Sequence, residues 1–374
     1  TVFDVIGEFV NKGKDAVLDA TKTAVTNVAG ILRNEGTANY DDMTIADGGK
    51  SENAGFEKGD ILTVATGAEH SNSGTSIWNN VTVQDGATST VEEGAKETIN
   101  DSYVVAGDRT NKGEVDATGV ENTEVRGTLD NQGTSNYDDM TVEAGGKSDN
   151  SGYEKGDVLT IDKGGEHDNS GTSIWNNQTV KEGGTSVTEE GGKETINDEY
   201  VIEGDKTNKG EVDAKGVENT EVKGNLDNRG KSEYDDMTIG DGGKSDNSGY
   251  EKGDILTIDK GGEHDNSGTS IWNVVVAGGD VNNTGDIETE KLTIDDGLVN
   301  IGEGSLNAGE TDLNGGDLVI GNDKDRTPEN RVTAEINPKN DVIDTNIYVK
   351  NNGDLNLGPK GGLDWADSIG SPTV

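Results

Sequence analysis

Along most of this chain the apolar residues come in pairs two positions apart with a polar residue between. Met43 and Ile45, Leu62 and Val64, and Val81 and Val83 are examples, each pair standing nine and eleven residues after an Asn. A period of two is strand alternation, which puts both apolar residues on one face. The Asn belongs to a recurring Asn-x-Gly, at Asn34-Glu35-Gly36, Asn53-Ala54-Gly55, Asn72-Ser73-Gly74 and Asn111-Lys112-Gly113. The steps are 19, 19 and 39, and the 39 divides at Glu92-Glu93-Gly94, where Glu stands for the Asn. Five such sub-repeats fill 97 residues, and nearly the same 97 residues follow again before a third, partial copy begins. Trp78, Trp175 and Trp272 are 97 apart, as are Tyr40, Tyr137 and Tyr234, and Met43, Met140 and Met237.

A short strand with glycine-rich turns every 19 or 20 residues predicts one rung of a β-solenoid, with rungs stacked about 4.8 Å apart. Stacking aligns Met43, Leu62 and Val81 in one interior column and Ile45, Val64 and Val83 in the next. The corner Asn residues are expected to bond up and down a ladder through their side-chain amides. The Gly two residues later is expected to supply a positive φ. The predicted class is therefore all-β, an elongated β-solenoid over residues 34–302, in units 34–130, 131–227 and a partial 228–302.

Residues 1–33 break the pattern. Val2, Ile6, Phe9, Val10 and Val17 lie mostly at three- and four-residue spacing and read as a short amphipathic helix, either a cap on the first rung or a docking element for a neighbouring subunit. After Ile271-Trp272-Asn273 the beat shortens to 17, and from 303 to 374 it blurs into irregular coils and strands that hold all four prolines. Apolar strand-like segments persist there, with Ile343, Ile347 and Val349 in one and Leu355 and Leu357 in another.

Leu, Ile, Val and Phe are sparse and the net charge is -43, a composition that alone would suggest disorder. The repeat overrides it, because a thin stacked core needs few apolar residues per rung. Such a charge argues against nucleic acid and anionic membrane as partners. With no apolar run of 18 residues, membrane insertion is not expected. The chain has no Cys, and it starts at Thr1 rather than Met, the form expected of a secreted chain after signal removal.

The Asn-x-Gly corners and a segment such as Asn351-Asn352-Gly353-Asp354-Leu355-Asn356-Leu357-Gly358 resemble the repeat passengers of bacterial autotransporters and filamentous-haemagglutinin-type surface proteins. The resemblance covers roughly residues 34–302 and 351–358. It implies a right-handed β-helix, secreted or held at the cell surface, and a role in adhesion, aggregation or biofilm.

Catalysis needs one unrepeated constellation, and here every candidate comes three times, so no enzyme is expected. His70, His167 and His264 are 97 residues and five rungs apart, roughly 24 Å, too far to share a metal. The acid pairs Asp41-Asp42, Asp138-Asp139 and Asp235-Asp236 could support structural Ca2+, but the simpler reading is a solvated acidic surface, and no cofactor is expected. The Trp and Tyr sets are either sugar-stacking surfaces or corner plugs. Two functions follow: a fibre or biofilm-matrix subunit whose partner is itself, end to end, or a monomeric adhesin whose partners are surface glycans or host receptors. The first is the expected one, with assembly through the two specialised ends, that is Val2, Ile6, Phe9, Val10 and Val17 at one and Ile343, Ile347, Val349, Leu355 and Leu357 at the other.

Overall fold

The structure is a computed structural model and describes residues 1–325, 327–328, 330–338 and 345–357. The chain divides into two compact units, Thr1–Glu194 and Thr195–Val374. Each is a parallel β-solenoid whose rungs combine one long strand, of nine to twelve residues in most rungs, with one strand of four.

In the first unit the long strands Thr37–Ile45, Phe56–Val64 and Thr75–Val83 pair in parallel, with Met43 opposite Leu62 opposite Val81 and Ile45 opposite Val64 opposite Val83. All six are fully buried, so the predicted columns are the core. The four-residue strands Ile31–Asn34, Lys50–Asn53 and Glu69–Asn72 pair likewise, and their last residues bring the corner Asn side chains together. Asn11 donates through Nδ2 to Asn34 Oδ1, Asn34 to Asn53 and Asn53 to Asn72, at 2.8, 2.8 and 2.9 Å. Each amide also donates to a backbone carbonyl of the next rung, as Asn34 does to Phe56 O at 2.9 Å. A second run joins Asn111, Asn131, Asn150 and Asn169, and the other unit holds one from Asn208 to Asn283.

Two expectations about this corner need correction. The residue in the ladder column between Asn72 and Asn111 is Val91, not Glu92. Two extra residues follow Val91 before the next long strand, and they form a turn closed by Ala95 N donating to Glu92 O, with Gly94 at φ 78°. A ladder Asn belongs to the tighter corner only. The glycine of that tight corner, moreover, has no positive φ. The positive values belong to the other turn of the rung, at Gly48, Gly67 and Gly86. Gly55 and Gly74 are required for space, since a Cβ would lie 2.1 Å from Gly36 O and 2.0 Å from Gly55 O in the rung before.

Nor is the N-terminal segment a helix. It forms β1 (Val2–Val5) and β2 (Glu8–Asn11), which make up a short first rung, and the long β3 (Val17–Val28), which opens the second. β1 pairs with residues 25–28, β2 with Ile31–Asn34, and β3 with Thr37–Ile45. The apparent three- and four-residue spacing arises because alternating strands are interrupted by turns, one of them at Gly13 with φ 97°. A ready strand edge in the next rung satisfies the backbone of these residues, where an isolated helix this short would gain little. Toward the other end, the two-sheet pairing runs further than the blurred beat suggests. Ser305–Leu313 pairs with Val332–Ile336, that with Gly353–Leu357, and Asp317–Ile320 with Asn346–Val349.

Candidate functional site

The chemistry-bearing residues that repeat every 97 positions meet inside the solenoid. In the first unit, Glu57 and His70 face each other across the interior from a long and a short strand, with His70 Nε2 3.0 Å from Glu57 Oε1. Ser76 donates to the same carboxylate oxygen at 2.7 Å, and Trp78 Nε1 donates to Ser76 Oγ at 2.8 Å. The set recurs as Glu154, His167, Ser173 and Trp175, with 2.7, 2.6 and 2.9 Å. In the second unit Glu251, His264, Ser270 and Trp272 give 3.1, 2.6 and 2.9 Å. Each indole lies over a glycine of the preceding rung, Gly59, Gly156 or Gly253, where a Cβ would come within 2.1 to 2.2 Å of the ring. The missing side chain lets the Trp close down on the Tyr two rungs away. Tyr40 and Trp78 stack at 5.9 Å, and Tyr137 with Trp175 and Tyr234 with Trp272 at 6.0 Å.

Ser, His and Glu are all present, but hydrolysis also needs them correctly ordered and exposed. Within each set the carboxylate sits between the hydroxyl and the imidazole, whereas a nucleophilic Ser must bond the imidazole itself. In the first unit a further Ser, Ser89, does place Oγ 3.4 Å from His70 Nδ1 with Glu57 on Nε2, but it too is fully buried. All these groups are buried, so the arrangement can seal and orient the interior but cannot meet a substrate. The same burial removes Trp and Tyr as sugar-stacking surfaces and makes them plugs. Burial pushes the His264 imidazole down, but the facing Glu251 carboxylate outweighs it and the pKa is raised. Burial likewise pushes Glu251 up, and His264 with the Ser270 and Trp272 hydrogen bonds brings it below its ordinary value. The His residues stand out in the sequence, but their Glu partners do not. Their signal is the alternation in Phe56-Glu57-Lys58-Gly59, which places Glu on the inward face.

On the outside, two of the three acid pairs gain a third carboxylate from the adjacent rung. Oxygens of Asp138, Asp139 and Asp157 lie within 4.8 Å of one another, as do those of Asp235, Asp236 and Asp254. Burial, then Asp138 and Asp157, push the Asp139 carboxyl up. Asn176 on the following rung donates to Asp157 Oδ1 at 2.8 Å and absorbs part of the crowding. These oxygens are donors of the kind a hard divalent cation takes. A second acidic column, unnoticed in the sequence, runs through Asp227, Asp246 and Asp265 beside a shallow groove, each immediately before a ladder Asn. Lys244 bridges part of it, 2.9 Å from Asp265.

The residues expected to drive assembly fall into three groups. Val2, Ile6, Val10 and Val17 are exposed on the first two rungs, Ile6 by 81%. Phe9 turns inward against the core, edge-on to Phe3 with centroids 5.5 Å apart. In the second unit Ile347 and Leu355 pack partly against the core, while Val349 and Leu357 are exposed together with Tyr348, which sequence reasoning missed. Ile343 lies outside the described residues.

The geometry defines a class, a parallel β-solenoid with a sealed polar interior and acidic outer columns. No family model matches the chain, and no curated protein does. Among solved structures, the chain is similar to the crystal structure of a TibC-catalysed hyper-glycosylated TibA fragment. The match covers 95% of this chain and 98% of that one at 15% identity, and its TM-score of 0.25 assigns nothing further.

Proposed function

We propose that the protein is an extracellular structural subunit that associates with copies of itself end to end, as part of a surface fibre or matrix. The observation that carries this reading is the first rung. β1 and β2 each have a strand partner on one side only among the described residues, and Val2, Ile6, Val10 and Val17 stand exposed around them. An open strand edge flanked by apolar side chains is a template for pairing with another chain. A heterologous contact of this kind repeats without closing and builds a filament. The resemblance of the repeats to surface-protein passengers supports a place outside the cell. The net charge of -43 opposes association at low salt, so screening favours it.

Sedimentation velocity and negative-stain imaging of the purified chain, at rising protein concentration in low and high NaCl, test the proposal. Open-ended association that grows with salt is expected. A protein that stays monomeric throughout overturns it and leaves the monomeric adhesin as the better reading.

A further inference from the structure

We infer the register of the joint: the last described rung of one copy stacks on the first two rungs of a second copy as if the solenoid continued. This rests on the self-association reading above. Strand Asn346–Val349 would lie against β2, and Gly353–Leu357 against residues 17–20 of β3.

Column positions fix the alignment. Within the second unit, Val349 pairs with Ile320, Ile320 with Ile301, Ile301 with Asn283 and Asn283 with Asn266. Asn266 is the repeat equivalent of Asn72, whose column in the first unit leads to Asn53, Asn34 and Asn11. Val349 therefore takes the place above Asn11, and Ile347 the place above Phe9. In the long strands, Asp354 pairs with Thr333, Thr333 with Ser305, Ser305 with Asp286 and Asp286 with Thr269. Thr269 is the equivalent of Thr75, whose column leads through Phe56 and Thr37 to Val17. That puts Leu355 over Leu18 and Leu357 over Ala20. β1 covers only the columns of residues 25–28, so among the described residues those of residues 17–20 have no strand on that side, and they are the ones Gly353–Leu357 would fill.

The two surfaces then match in chemistry. Phe9 and Leu18 on one, and Ile347 and Leu355 on the other, are inward apolar residues left half-buried. Their column neighbours one rung further in, Leu32, Ala38, Leu318 and Ala334, are fully buried. Among the described residues the end residues have a neighbour on one side only, and in this register each end supplies the second to the other. Outward, exposed Val10 meets exposed Tyr348. No two carboxylates face each other in this register, since Glu8 meets Asn346, Asp19 meets Asn356, and Asp354 meets Val17 while paired with Arg331. A branched apolar residue above a ladder Asn already occurs within the first unit, where Val91 pairs with Asn111. A one-residue slip would turn every inward side chain outward.

The chain has no Cys, so engineered pairs report the joint directly. Val10→Cys with Tyr348→Cys, both exposed positions in the full chain, places two thiols on adjacent strands about 4.8 Å apart, within disulfide reach. Under copper-phenanthroline oxidation at associating salt, this variant should give a reducible ladder of covalent multimers on a non-reducing gel. Val17→Cys with Tyr348→Cys, two columns that do not meet, should give at least tenfold less, and circular dichroism checks that both keep the fold. If association persists by sedimentation but the matched pair cross-links no better than the mismatched one, or only within one chain, the register is wrong while self-association stands. If nothing associates, both fail.

Discussion

Asn150 is the position where the ladder can be tested most cleanly. Its side chain is buried and makes three hydrogen bonds: it accepts from Asn131 Nδ2 at 2.8 Å and donates to Asn169 Oδ1 at 2.9 Å and Thr172 O at 3.0 Å. Asn150→Ala removes all three. Asn131 Nδ2 keeps its bond to Tyr153 O, and Asn169 Oδ1 keeps the Gly171 N–H, but the second proton of the one amide and the second lone pair of the other are stranded. At about 1 kcal/mol net for each of the three lost bonds, and about 1–3 kcal/mol more for buried groups left unpaired, the loss is on the order of 4–6 kcal/mol. In a repeat array the damage concentrates in the neighbouring rungs. The assay is urea unfolding followed by circular dichroism, with native-state hydrogen exchange to locate the weakened rungs. Asn176→Ala is the control, because its bond to Asp157 is exposed and should be worth under about 0.5 kcal/mol. If the two variants unfold alike, the ladder contributes nothing beyond chain geometry and the reasoning fails.

Three further outcomes are expected. Leu159→Asp buries an unpaired charge between Met140 and Gln178 and should cost about 3–5 kcal/mol in thermal or urea unfolding; an unchanged midpoint would mean the register is misread. Gly156→Ala drives a methyl to 2.1 Å from the Trp175 ring, so it should cost about 2–3 kcal/mol in urea unfolding and shift Trp emission to the red, and a variant with the parent's stability and spectrum would contradict the packing. The pH dependence follows from the His264 and Glu251 pair. Glu251 is held below its ordinary 4.5, so its contribution is present above that pH and is lost as pH falls through the lowered value. His264 is held above its ordinary 6.5, so its contribution is complete below 6.5 and is lost as pH rises through the raised value. Stability of the second unit should therefore be greatest between about pH 4.5 and 6.5, and His264→Gln should abolish the decline on the alkaline side in a pH series of unfolding midpoints.

The fold was legible because its two periods are geometric. The pair Met43 and Ile45 fixes strand alternation, and the Asn spacing fixes the rung, so columns and ladder follow without further information. The first rung was misread because two turns reset the alternation and imitate a helical spacing, and only the partner edge at residues 25–28 resolves it. The corner glycines were right in place and wrong in cause, since a contact between rungs cannot be seen in one rung's sequence. The tetrads were half visible. His and Trp are rare enough to notice, whereas Glu57 is one acid among many until its inward position is known.

The glycine beneath each tryptophan has a bearing on how such a chain finds its register as it folds. Neighbouring rungs are so alike that a strand displaced by one rung would still pair its backbone and bury much of its apolar column. Trp175, however, would then sit directly opposite Tyr137 with no glycine to receive it, and the slipped form would be rejected by collision. A displacement of a full 97 residues meets the same glycine, the same tyrosine and the same acid. The keying that forbids small errors is blind to large ones, so the mistakes left open to this chain are whole-unit ones: five rungs looped out, or a unit exchanged between two molecules.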